Sequence, residues 1–185
     1  MDIVFAPLLE RLASAISAAG VRYMVIGGQA VIQYGESRLT EDIDVTIGID
    51  TDDWRRADAL LRAADLIPRT SDYEMYAVEG HILLLADRKT AIRVDCALAG
   101  SAFEESALAR VVPQRIGAVD VAFTPPEDLI VQKLFAGRER DHDDVRRLLR
   151  KQKKLDRQYI ERWLRDFGVS TDRDLLADFA RLAGS

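Results

Sequence analysis

Asp42 and Asp44 stand one residue apart in the run Asp42-Ile43-Asp44-Val45-Thr46-Ile47, where polar and apolar residues alternate strictly. A period of two predicts a half-buried strand over residues 42–48, with Ile43, Val45 and Ile47 on a core face and Asp42, Asp44 and Thr46 on a polar one. Two carboxylates projecting from one face can hold a divalent cation, and hard oxygen ligands favour magnesium or manganese. An Asp-x-Asp pair alone is also what a solvated strand face looks like. Asp95 supplies a third carboxylate, because Ile92, Val94, Cys96 and Leu98 share one face of a strand over 91–98 and leave Arg93 and Asp95 on the other. Three such groups suit two ions about 3.5 to 4 Å apart, the arrangement phosphoryl transfer uses to neutralise charge and to activate a hydroxyl.

Upstream, a buried strand over 23–26 runs into Gly27-Gly28 and then a brief helix, Gln29 to Gly35. Strand, glycine turn and helix in that order aim backbone N–H groups at an anion such as a triphosphate. Gly27-Gly28 by itself is only a tight turn. Arg38 and Thr40 precede the Asp42 strand, where an arginine could pair with phosphates and a hydroxyl could orient a ligating carboxylate; solvated loop residues look the same. Farther on, Pro126 opens a helix that runs to Gly137. Lys133 lies four residues after Leu129 and three after Ile130, beside the apolar stripe of that helix. A lysine there needs an anionic partner, or else snorkels with its stem over the core. Asp141 and Asp144 form an Asp-x-x-Asp at the start of the next helical stretch, which serves equally as a cap and first-turn acid or as part of a site.

The elements that must position these groups follow from the same periodicities. Helices are predicted over 3–19, 54–64 and 103–110, and strands over 74–78, 81–86 and 119–123. Three more helices follow over 142–154, 157–167 and 172–183, each with an apolar stripe. The fold class is therefore α/β (α+β): a mixed sheet flanked by helices in a core over 1–125, with a C-terminal helical region over 126–185 packed on it. His81 is expected on an apolar strand as a core or edge residue, and His142 as exposed.

Composition narrows the function classes. The chain has 185 residues, 48% of them hydrophobic, with a net charge of -5. That balance argues against a protein coating nucleic acid non-specifically, while Arg146, Arg147, Arg150, Lys151, Lys153, Lys154 and Arg157 form a local basic run able to meet RNA phosphates. A solvated helix face would have the same composition. One cysteine, Cys96, excludes an internal disulfide, and two histidines leave too few ligands for a Cys/His zinc site. No segment is long and apolar enough for a membrane span, and the first residues carry acids where a signal peptide carries bases, so a soluble cytoplasmic protein is expected.

Gly27-Gly28-x-Ala30 followed by Arg38-x-Thr40-x-Asp42-Ile43-Asp44 resembles the active-site motif of the DNA-polymerase-beta-like nucleotidyltransferase superfamily. Lys133-Leu134-Phe135-Ala136-Gly137-Arg138 and Arg140-Asp141-His142-Asp143-Asp144 are similar to later elements of the AbiEii/AbiGii-type toxin nucleotidyltransferases. The likeness spans about residues 22–150. It implies a nucleotidyltransferase fold and transfer of a nucleoside monophosphate from a nucleoside triphosphate to an acceptor hydroxyl. Gly27 and Gly28 would contact the triphosphate, Asp42 and Asp44 would bind two magnesium or manganese ions, and Lys133 would meet triphosphate or substrate. Arg38, Thr40, Asp141 and Asp144 would lie around the nucleotide. The acceptor would be the 3′ end of an RNA such as transfer RNA, and an antitoxin protein the expected partner. Two other readings stay open: a nucleotidyltransferase acting on an aminoglycoside or lincosamide, and a non-catalytic antitoxin-like or regulatory binding domain.

Overall fold

The strands assemble into a seven-stranded mixed sheet in the order β3-β4-β5-β2-β1-β7-β6. The strands are β1 (Tyr23–Val25), β2 (Asp42–Ile47), β3 (Leu66–Pro68), β4 (Ile82–Asp87), β5 (Arg93–Leu98), β6 (Val112–Ile116) and β7 (Val119–Phe123). The computed structural model describes residues 4–35 and 39–184. β2 runs parallel to β5 and β1 parallel to β7, and the other neighbours are antiparallel. Ile43, Val45, Ile47, Val94, Cys96 and Leu98 are all buried, so the predicted core face of β2 and β5 is the observed one, and β4 buries Leu83 and Leu85 beside them. Burial pushes the Cys96 thiol up to about 12, which keeps it a neutral core residue.

The chain divides into a sheet unit, Met1–Gln29 with Leu39–Thr124, and a helical unit, Ala30–Arg38 with Pro125–Ser185. In the sheet unit, α1 (Ala6–Ala18), α3 (Trp54–Ala63) and α4 (Tyr73–Glu79) pack against strands. α1 presents Leu8, Leu9, Leu12 and Ile16 as a buried stripe at helical spacing and gives way to Gly20 at φ +66°. Leucines at such sites contribute roughly 1.5 to 3 kcal/mol each when fully buried. α5 (Ala102–Leu108) starts at a capping box in which Ser101 accepts from the Glu104 N–H and Glu104 accepts from the Ser101 N–H. Its Ala107 and Leu108 form a small core with Met24 and Ala99. Met24 is register-opposed to Thr46. Hence α5 covers the far end of the face that carries Asp42 and Asp44.

In the helical unit, α6 (Pro126–Ala136) begins with Pro126 in its first turn and ends at Gly137, whose φ of +65° is a left-handed cap. α7 (Glu139–Lys151), α8 (Arg157–Thr171) and α9 (Leu175–Ala183) follow. Residues 30–35 cluster with this unit. The later residues of α2 (Gly27–Tyr34) are tied in by the Gln152 side chain, whose amide donates to the Tyr34 carbonyl at 2.6 Å.

Several expectations need correction. Residues 74–78 form the middle of helix α4, not a strand. Met75, Tyr76 and Val78 are exposed, and the buried pair is Tyr73 and Ala77, four apart, which is helical spacing. β3 and β6 were not foreseen. Both are edge strands and both contain a proline, Pro68 and Pro113, which a sheet edge tolerates and which reads as a breaker in sequence. His81 immediately precedes β4 with φ +52° and is exposed. His142 is half-buried, with Nε2 buried and unbonded. α7 begins three residues before the predicted start, α8 continues to Thr171, and α9 starts at Leu175.

Candidate active site

β2 and β5 run parallel in a register that pairs Asp42 with Arg93 and Asp44 with Asp95. Paired residues on neighbouring strands project from the same face, with backbones about 4.8 Å apart. Asp42, Asp44 and Asp95 therefore share the polar face, although the last two are 51 positions apart in sequence. On the other side of β2, the Ile26 N–H donates to the Asp44 carbonyl at 2.9 Å, and the chain then turns at Gly27. Gly27 has φ +60°, and a Cβ built on it would run into the Asp44 carboxylate. Glycine is needed there twice, for the left-handed backbone and for the close approach of the carboxylate. Gly28 follows in the first turn of α2, where backbone N–H groups have no partner inside the helix and suit an anion. Gln29 is fully buried, with its amide nitrogen 3.5 Å from the Asp42 carbonyl oxygen and its Oε1 unbonded.

Each outer carboxylate has a neighbour that the motif does not contain. Asp42 Oδ1 accepts from the Thr40 hydroxyl at 2.9 Å, and its Oδ2 lies 3.8 Å from the Arg93 guanidinium. Asp95 Oδ1 accepts from Arg69 Nη2 at 2.7 Å. Arg69 was missed in the sequence because it directly follows β3, the edge strand that was itself missed; Arg93 was visible as the polar-face neighbour of Asp95. Arg38 lies outside the described residues.

Three carboxylates on adjacent strands are the right donor chemistry for a hard divalent ion. Among the described residues, no three His, Cys, Asp or Glu side chains stand close enough to grip one as they are placed. Two of the three instead meet guanidinium groups, Asp95 that of Arg69 at 2.7 Å and Asp42 that of Arg93 at 3.8 Å. The chemistry of the donor set suits such an ion, while the present placement pairs Asp95 and Asp42 with arginines.

Lys133, Asp141 and Asp144 form a second constellation, within the helical unit. The Lys133 ammonium is buried and lies 3.0 Å from carboxylate oxygens of both Asp141 and Asp144. The anionic partner that Lys133 requires comes from this chain. Asp141 also accepts from the Arg138 backbone N–H at 3.2 Å and from Arg138 Nε at 2.6 Å. Burial raises the Asp141 carboxyl, but hydrogen bonds from Arg138 and Lys133 outweigh it and hold the group below the ordinary aspartate value. In the same unit Asp128 is fully buried and accepts from the Tyr159 hydroxyl, while Glu127 accepts from the Asp156 N–H at 3.1 Å. Arg146, Arg150, Lys151, Lys153, Lys154 and Arg157 are exposed, with Arg146 paired to Asp143 at 2.6 Å.

No helix among the described residues is long and apolar enough to cross a membrane. No curated protein matches the chain. Among solved structures, it is similar to an antigenic nucleotidyltransferase-like protein from Paracoccidioides brasiliensis, at 16% identity and a TM-score of 0.58, covering 98% of this chain and 97% of that one. It is also similar to ANT(2")-Ia, solved in complex with adenylyl-2"-tobramycin, at 14% identity and a TM-score of 0.57, covering 90% of this chain and 98% of that one. These likenesses establish the fold, a mixed sheet with flanking helices of the nucleotidyltransferase kind. The family described as nucleotidyltransferase of unknown function (DUF6036) matches residues 8–168. The chain belongs to that family and is a nucleotidyltransferase, an enzyme of the transferase class.

Proposed function

We propose that the protein transfers a nucleoside monophosphate from a nucleoside triphosphate to an acceptor hydroxyl with the help of divalent magnesium or manganese, two ions being expected. The observation that carries this reading is the register pairing of Asp44 with Asp95, next to a glycine turn that closes on Asp44. Asp42, Asp44 and Asp95 would hold the metal, whose chemistry when bound is to neutralise the phosphates and ease ionisation of the hydroxyl. Gly27 and Gly28 present backbone N–H groups to the triphosphate. Thr40 keeps the Asp42 carboxylate in place. Asp95 takes the proton of the acceptor hydroxyl as a new bond forms from that oxygen to the α-phosphorus. The bond from the α-phosphorus to the bridging oxygen breaks, and pyrophosphate leaves with the electron pair.

For the acceptor we favour the 3′ end of an RNA, of transfer-RNA type, with an antitoxin protein as the controlling partner. Support comes from the resemblance of residues 133–144 to the toxin group and from the exposed basic residues near the end of α7. Lys133, Asp141 and Asp144 would then brace the helical unit, and a triphosphate contact by Lys133 requires its ammonium to exchange a carboxylate for phosphate. The test supplies each labelled nucleoside triphosphate with magnesium to the purified chain, in separate reactions with bulk RNA and with tobramycin. Label entering RNA with wild type and not with Asp44→Ala supports the reading. Label entering only tobramycin moves the acceptor to small molecules, and no label in either abandons RNA as the target.

A further inference from the structure

The row of residues that passes through Asp44 and Asp95 continues outward across the sheet. Leu84 on β4 is register-opposed to Asp95, and the Arg69 N–H donates to the Leu84 carbonyl at 3.1 Å. Asp44, Asp95, Leu84 and Arg69 thus sit side by side on one face, with the Arg69 backbone two strand spacings, about 10 Å, from that of Asp95. Its side chain reaches back over Leu84 to place a single nitrogen, Nη2, 2.7 Å from Asp95 Oδ1. The contact is one-pronged, and both side chains keep about a quarter to a third of their surface in solvent, 30% for Arg69 and 25% for Asp95. Partly exposed pairs of this kind are weak and exchange readily. A divalent ion on the same carboxylate would bring two positive charges into the space that the guanidinium already holds.

We propose that Arg69 and a divalent cation are alternative partners of Asp95. Arg69 holds the third carboxylate while the metal is absent and gives it up when the metal arrives, so that the arginine is a positioning residue setting how tightly the site takes its ion. This inference rests on reading Asp42, Asp44 and Asp95 as metal ligands. It differs from a permanent orienting role, in which Arg69 would stay on Asp95 and strengthen metal binding.

Calorimetric titration of the full chain with manganese chloride, without nucleotide or turnover, separates the two. Arg69→Gln is expected to bind manganese about threefold to tenfold more tightly than wild type, while Arg69→Lys, which keeps the charge, stays close to wild type. Equal or weaker binding by Arg69→Gln overturns the proposal and leaves the metal reading standing. Manganese uptake by neither wild type nor Arg69→Gln overturns both. In the unsubstituted chain, saturating magnesium should move the Arg69 Nε–Hε magnetic resonance toward that of free arginine; a resonance that stays in place while magnesium binds also overturns the proposal.

Discussion

Replacing Lys133 with methionine separates a structural from a substrate-binding role for that residue. The ammonium is nearly excluded from solvent, with 6% of its side chain exposed, and lies 3.0 Å from both Asp141 and Asp144, whose side chains are 0% and 1% exposed. Methionine preserves most of the stem volume and removes the charge, leaving two buried carboxylates without the cation between them. Removing one partner of a buried ion pair costs about 3 to 5 kcal/mol. For a chain of this length each kcal/mol moves the melting temperature by about 2 to 4 °C, so Lys133→Met should melt roughly 6 to 20 °C lower than wild type. Thermal unfolding followed by circular dichroism reads this directly. The triple variant Lys133→Met, Asp141→Asn, Asp144→Asn removes all three charges together and should recover a large part of the loss, since neutral replacement of a whole buried network is far less costly than removal of one member. A Lys133→Met protein that melts within about 1 °C of wild type but no longer transfers nucleotide would refute the reasoning, because the ammonium would then act on the substrate and not on its two aspartates.

Two further outcomes follow from geometry already described. Gly27→Ala forces a left-handed backbone on alanine and a methyl group into the Asp44 carboxylate; it should cost about 1 to 3 kcal/mol in stability and about a hundredfold or more in transfer rate, measured by melting and by initial rates. Wild-type rates in folded Gly27→Ala would show that Asp44 does not need its present position. Asp141 titrates below the ordinary aspartate value in the native state, so its contribution is whole above about pH 4 and drains away as pH falls through the lower native value. Melting temperatures between pH 6 and pH 3 should therefore drop less steeply in Asp141→Asn than in wild type, and parallel curves would contradict the assignment.

The centre of the sheet was legible because β2 and β5 announce themselves twice, through buried residues at Ile43, Val45, Val94 and Cys96 and through carboxylates at the alternating positions. Helices with glycine or proline punctuation, such as α1 before Gly20 and α6 between Pro126 and Gly137, were legible for an equally local reason. Pairing partners were not. Alternation says that Asp44 and Asp95 each face outward, whereas only the register of two parallel strands joined by a long crossover makes them neighbours. The edges β3 and β6 escaped because half-satisfied strands can carry proline and polar residues, and Arg69 escaped with β3. Asp141 and Asp144 read in sequence equally as cap and first-turn acids or as part of a site; their ion pairs with Lys133, which lies on the preceding helix α6, are a contact that no spacing rule encodes.

The pairing of β2 with β5 ties folding fidelity to the integrity of the proposed site. Along both strands the buried and polar positions are interleaved, so sliding β5 by a single residue would bring Val94 or Cys96 opposite Asp44, turn Asp95 into the apolar interior, and expose side chains that now fill the core. Such a misaligned chain would lose its hydrophobic contacts and its third carboxylate in one event. A population of folded molecules with an intact core is therefore also a population with a complete carboxylate face, and a fall in activity on mild destabilisation should track the fraction unfolded rather than precede it.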